Sequence, residues 1–230
     1  WIIDDISYKE TLEELIVKSK DILNPFKQRL IALGHGDGHE MNIYTNALNH
    51  QNKEHKYAYL DLETAGDNSV FGEGVIYLIY NSVMADYEIP KYYPEHFTQR
   101  NRAMNASFDH FARKKLANLQ IRKTNGKIIM NNIKQFGTSP IRKEIAKKYI
   151  SLYLSPVIQL AEEKFGAPLN YHIKNTLKGV FLMRLLGVYN VSQMQALDQA
   201  KIFGLLYKTI GTTNNHDTAQ TILKRFIDSL

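Results

Sequence analysis

The sequence predicts an α+β domain that is mostly helical. Three observations predict it. Apolar residues recur at helical spacing through most of the chain, one pair of β-branched and aromatic runs flanks a polar stretch near residue 50, and Gly and Pro punctuate the helical pattern.

Ser7-Tyr8-Lys9-Glu10 has the form of a capping box, and Leu12, Leu15, Ile16 and Ile22 follow at helical spacing, so a first helix is expected over about 8–23. Asn24-Pro25 supplies an N-cap and a first-turn Pro for a second helix ending near Gly34. Met41 to Thr45 and Lys56 to Leu62 read as a hairpin with Asn42 and Asp61 at its open end. Gly66, Gly72 and Gly74 interrupt the pattern, after which Val75 to Met84 form a buried element whose length favours helix. Ile89-Pro90-Lys91-Tyr92-Tyr93-Pro94 reads as a loop, and the pattern beyond it is helical to the end, over 96–123, 140–164, 169–187, 191–210 and 216–229. Gly126, Gly137 with Pro140, Gly166 with Pro168, Gly187 and Gly211 mark the boundaries.

The 230 residues suit one domain. The apolar stretches Gly74 to Ala85, Ile150 to Leu160 and Gly179 to Val188 are too short to span a bilayer, and Arg184 interrupts the last. The absence of Cys excludes disulfides and thiolate zinc sites and fits a cytoplasmic location. A net charge of +6 favours anionic ligands such as nucleotides and is modest for a nucleic-acid binder. The basic stretch Arg100 to Lys123, spaced among Phe108, Phe111, Leu116 and Leu119, reads as the polar side of an amphipathic helix. No Walker or Rossmann glycine loop and no Gly-x-Ser-x-Gly elbow is present.

Chemistry concentrates in residues 33–45 and 59–63. Asp37 and Asn42 stand five residues apart on a loop running into a strand, and Asp61 closes the second strand. A carboxylate base and two oxygen ligands for magnesium can converge there, which is the short list phosphoryl transfer asks of one lobe. The bland reading of Asp37 is an Asp capping a turn between two Gly residues. A second alternative takes His35, Asp37 and His39, with His55, as transition-metal ligands of a hydrolase. His96, His110, His172 and His216 lack acidic or His neighbours at ligand spacing, and Tyr87, Tyr92 and Tyr93 read as packing under a loop or as acceptor-pocket walls.

His35-Gly36-Asp37, four residues, then Asn42, followed by Asp61-Leu62-Glu63, resembles the aminoglycoside phosphotransferase and choline kinase group of protein-kinase-like enzymes. The matching stretch runs from residue 33 to about 80. The resemblance implies the carboxy-terminal lobe of a kinase-like fold: leading helices over 1–34, catalytic loop, hairpin and metal-binding triplet over 35–63, and a helical subdomain over 64–230. It implies that Asp37 accepts the proton of the substrate hydroxyl, that Asn42 and Asp61 hold Mg2+ against the phosphates of ATP or GTP, and that His39 is a further catalytic residue. His35 is expected to be scaffold, Glu63 to support the metal ligands, and Glu73, where the family more often carries Asp, to brace the catalytic loop. The family's earlier nucleotide-gripping lobe is absent, so a chain starting at Trp1 is expected to be the lobe of a longer protein or to work with a partner chain. The implied activity is transfer of the γ-phosphoryl group to a hydroxyl of a small molecule, and the alternative is a kinase-like binding module without the reaction.

Overall fold

The computed structural model describes residues 1–22, 30–39, 42–45, 57–84, 120–133, 138–166, 168–187, 191–193, 196–213 and 217–230. These residues form a mostly helical α+β fold. The strands are β1 (Ile2–Ile3), β2 (Ile6–Ser7), β3 (Ile31–Gly34), β4 (Ile43–Thr45), β5 (Tyr57–Tyr59), β6 (Gly66–Ser69), β7 (Gln120–Thr124) and β8 (Lys127–Asn131). The helices are α1 (Leu12–Ile22), α2 (Val70–Ile79), α3 (Pro140–Tyr149), α4 (Ser155–Phe165), α5 (Pro168–Gly187), α6 (Ala196–Ile210) and α7 (Ala219–Ser229).

The first helix starts later than its earlier capping signal indicated. Residues 2–7 form β1 and β2, and the operative capping box is one turn further on, where Thr11 Oγ1 accepts from Glu14 N and Glu14 Oε2 accepts from Thr11 N. Glu10 instead reaches across the chain and accepts from the Thr212 amide and hydroxyl. The second expected helix is corrected at its end: Ile31–Gly34 is a strand, paired antiparallel to β6 from Ile31↔Ser69 to Gly34↔Gly66. The rest of that expectation, over 23–29, lies outside the described residues. The expected antiparallel pairing of β4 and β5 forms, with Ile43 opposite Tyr59, but the second strand ends at Tyr59, so Asp61 and Leu62 lie beyond it at the start of a 3-10 turn.

Gly72 and Gly74 do not break the next element but lie inside α2, because Ser69 caps it by accepting from Gly72 N. The helix presents apolar residues all round, and Phe71, Val75, Ile76, Leu78 and Ile79 are buried. Gly74 lets Leu154, at the end of the π turn over Ile150–Leu154, pack close, since a Cβ there would sit 2.3 Å from Leu154 Cδ2. A π turn over Tyr80–Met84 extends α2, and Thr138 donates to the Ser82 carbonyl at 2.6 Å.

Helix to the end is contradicted at 120–131. β7 and β8 form a hairpin around Asn125 and Gly126, both at positive φ, and β8 pairs parallel with β1 in a four-stranded sheet of order β2-β1-β8-β7. Of the helix expected over 96–123 and its basic stretch, only residues 120–123 are described, and they are strand. The loop at 89–94, Tyr87, His55, His96, His110 and His216 lie outside the described residues. Helix 140–164 holds as α3 and α4, joined by a π turn over Ile150–Leu154 that precedes Pro156, whose missing N–H breaks the regular ladder there.

The core gathers round α5, a 20-residue helix about 30 Å long. Its Ile173, Leu177, Val180, Phe181 and Leu185 meet the buried faces of α2, α6 and α7, and Phe181 packs on Phe226 with ring centroids 4.9 Å apart. Trp1 stacks on Tyr207 of α6 at 4.8 Å, which fastens the first strand to the helical layer. Among the described residues no helix is long and apolar enough to cross a membrane.

Candidate functional site

The β3–β6 ladder ends at Gly34 opposite Gly66, so the chain leaves the sheet at His35 in a loop. Gly36 sits at φ +84, and a Cβ there would lie 2.3 Å from the Thr64 carbonyl oxygen, so only glycine lets the loop lie against the 3-10 turn Leu62–Thr64. Thr64 Oγ1 donates to the His35 carbonyl at 3.0 Å, and Asn68 Nδ2 donates to the Thr64 carbonyl at 3.0 Å. The two motif halves are thereby joined.

Glu73, in the first turn of α2, accepts from the Gly36 amide. Gly34 has no room for a side chain because the same carboxylate occupies its Cβ position at 2.4 Å. His35 is held on both nitrogens: Nδ1 accepts from the Asp37 amide at 3.4 Å, which leaves the proton on Nε2 to be donated to the Leu60 carbonyl at 2.7 Å. The imidazole is a strut between the loop and the residue before Asp61. Both of its nitrogens are engaged by backbone, and among the described residues no three His, Cys, Asp or Glu side chains are grouped to hold a metal.

Beyond Gly36 the chain turns on itself. The His39 amide donates to the Asp37 carbonyl and the Asn42 amide to the His39 carbonyl, each at 3.0 Å. Asn42 is buried, and its Nδ2 also donates to the Asp37 carbonyl at 3.0 Å. That bond fixes the amide with Nδ2 as its donor towards the Asp37 carbonyl, which makes Oδ1 its acceptor atom. The His39 ring stacks on Tyr80 with centroids 4.0 Å apart, and its Nε2 lies 3.6 Å from Asp37 Oδ2.

Asp61 follows the Leu60 amide, which donates to the Asn42 carbonyl at 2.8 Å. It adopts a left-handed conformation, φ 56 and ψ 59, as N-cap of the 3-10 turn, yet its side chain makes no capping bond. Non-glycine residues in this region are few and concentrate at functional sites. Asp61 is exposed, and so is Glu63 on the 3-10 turn. The structure therefore gathers Asp37, His39, Asn42, His35 and Glu73 in one loop system and ties Asp61 to it through backbone.

The sequence reading missed a member of this site. Arg184 of α5 brings Nη2 to 3.4 Å from Asp37 Oδ1, across 147 positions of chain. Its signal was a lone charge in an otherwise apolar helical run, Gly179 to Gly187.

No family model matches the chain, and no curated protein or solved structure matches it either. The site must speak through its own geometry.

Proposed function

We propose that the chain is the catalytic lobe of a magnesium-dependent phosphotransferase, moving the γ-phosphoryl group of ATP or GTP to a hydroxyl of a small molecule. The observation that carries this reading is the bond from Asn42 Nδ2 to the Asp37 carbonyl. It sets a carboxylate and an oriented amide oxygen on one turn, the pair that phosphotransfer needs as base and cation ligand. The Glu73 bond to Gly36 and the uncapped, left-handed Asp61 support it.

Asp37 receives the hydroxyl proton as the acceptor oxygen bonds to the γ-phosphorus; the bridging oxygen–γ-phosphorus bond breaks, and the nucleoside diphosphate leaves with the electron pair. Asn42 Oδ1 and the Asp61 carboxylate are the hard oxygen donors that would hold magnesium, which when bound neutralises charge on the phosphates. His35 and Glu73 position the loop, and His39 fixes one side of the Asp37 carboxylate. Leu33, Tyr44, Tyr59 and Leu62 are exposed apolar side chains beside the site, a surface that a second lobe or partner chain would cover.

The test is magnesium-dependent ATP binding by the natural-length protein, measured calorimetrically with and without Asp61→Ala. Binding that needs magnesium and falls at least tenfold in the variant supports the reading. Equal binding by both proteins refutes the role of Asp61, and no binding by either leaves the chain a kinase-like binding module.

A further inference from the structure

Arg184 is costly where it stands. Gly179 to Gly187 is otherwise apolar, α5 is the central helix of the core, and Phe181 and Leu185 beside Arg184 are fully buried. A guanidinium in such surroundings needs its donors satisfied. This one is not. Nε is buried without a hydrogen bond, and the contact of Nη2 with Asp37 Oδ1, at 3.4 Å, is longer than a formed charge-assisted bond and leaves Oδ1 itself without a hydrogen bond. Two polar atoms of opposite character, Nε of Arg184 and Oδ1 of Asp37, are thus both buried without a hydrogen bond in one contacting pair of side chains.

We propose that Arg184 reads the acceptor: the hydroxyl compound carries an acidic group, a carboxylate or a phosphate, that pairs with the guanidinium while the hydroxyl meets Asp37. The inference rests on the phosphotransfer reading and names the substrate class of that same site. A planar guanidinium on a side chain that keeps 19% exposure matches a carboxylate or phosphate in two-pronged geometry, and a cationic acceptor would meet it with like charge. The arrangement also solves an electrostatic difficulty. An anionic acceptor brings a negative charge towards the Asp37 carboxylate, and Arg184, already beside Oδ1, offsets it. Proton and phosphoryl transfers are unchanged: the hydroxyl proton passes to Asp37 and the acceptor oxygen takes the γ-phosphoryl group, while the acidic group forms no covalent bond.

The experiment uses the natural-length protein with magnesium and ATP, following nucleoside diphosphate release. Hydroxy acids, sugar acids and polyol or sugar phosphates are each set against the neutral and the amino counterpart of the same skeleton. Turnover is expected to favour the acidic member of a pair by at least tenfold, with carboxylate and phosphate arms showing which acid is preferred. Arg184→Gln is expected to lower that preference about tenfold to a hundredfold through KM, the range that losing a hydrogen bond to a charged group gives. Arg184→Lys, which keeps the charge, is expected to restore part of it. A purely structural role would depress acidic and neutral acceptors alike and leave their ratio unmoved, and that result overturns the proposal. Turnover favouring neutral or amino acceptors, or none with any acidic one, overturns it too. Failure to bind magnesium and ATP at all sinks the phosphotransfer reading first, and this inference with it.

Discussion

Replacing Glu73 separates a loop held from α2 from one that holds itself. Its carboxylate takes the Gly36 amide and fills the space at Gly34, and it stands in the first turn of a helix whose N-terminus favours negative charge. A hydrogen bond to a charged group contributes about 1.5–3 kcal/mol, and first-turn charge adds about 0.3–1 kcal/mol. Gly36 is only half-buried, so water reaching its freed amide returns part of the first amount. Glu73→Ala is therefore expected to lower the unfolding free energy by about 2–3 kcal/mol, and Glu73→Gln, which keeps an oxygen acceptor, by about 1 kcal/mol. Urea unfolding followed by far-ultraviolet circular dichroism gives both values, and hydrogen exchange at the Gly36 amide shows where the change lies. Protection of that amide is expected to fall in the alanine variant and to persist in the glutamine variant. A loss below about 0.5 kcal/mol with Gly36 still protected would show that α2 does not hold the loop.

Gly74→Ala drives a Cβ into Leu154 and is expected to cost about 1–3 kcal/mol of stability by urea unfolding, whereas Gly187→Ala, with open space around it, is expected to be neutral or slightly stabilising. Burial alone would raise the Glu10 carboxyl, but hydrogen bonds from Thr212 and the charges of Lys18 and Lys178 outweigh it and hold it below its usual 4.5. Its contribution is thus present above pH 4.5 and lost as pH falls through the lowered value, and Glu10→Gln is expected to flatten that acid limb in urea midpoints measured against pH. Burial pushes the Tyr8 phenol up to about 12, so folding is expected to weaken from pH 10 towards 12 as the unfolded phenol ionises first, and Tyr8→Phe is expected to remove part of this alkaline loss.

Local signals in the sequence were enough for the β4–β5 hairpin, most of the later helices and the loop carrying Asp37 and Asn42, because turn chemistry and apolar period act within a few residues. Partners distant in sequence were not. β3 is a strand because β6 lies opposite it, and a window around Asn24-Pro25 contains nothing of residues 66–69. The parallel pairing of Ile2 with Ile129 is hidden for the same reason. The start of α1 is misread from Ser7 to Glu10 because Glu10 is engaged by Thr212, 202 positions away, while the adjacent box from Thr11 to Glu14 caps the helix. The β7–β8 hairpin is legible locally, since Asn125-Gly126 between Ile121 and Ile128 is a strong short-range hairpin signal. Arg184 showed in the sequence as a charge in an apolar run, but only the packing of α5 against the loop reveals that it reaches Asp37.

The central claim is that Asp37 is the base of a phosphotransfer site. It is tested most directly by comparing acceptor-dependent release of nucleoside diphosphate, with magnesium and ATP, for the natural-length protein and its Asp37→Asn variant. The variant is expected to bind magnesium and ATP while losing about a hundredfold or more in acceptor-dependent turnover. A variant that phosphorylates the same acceptor at close to the unaltered rate would contradict it.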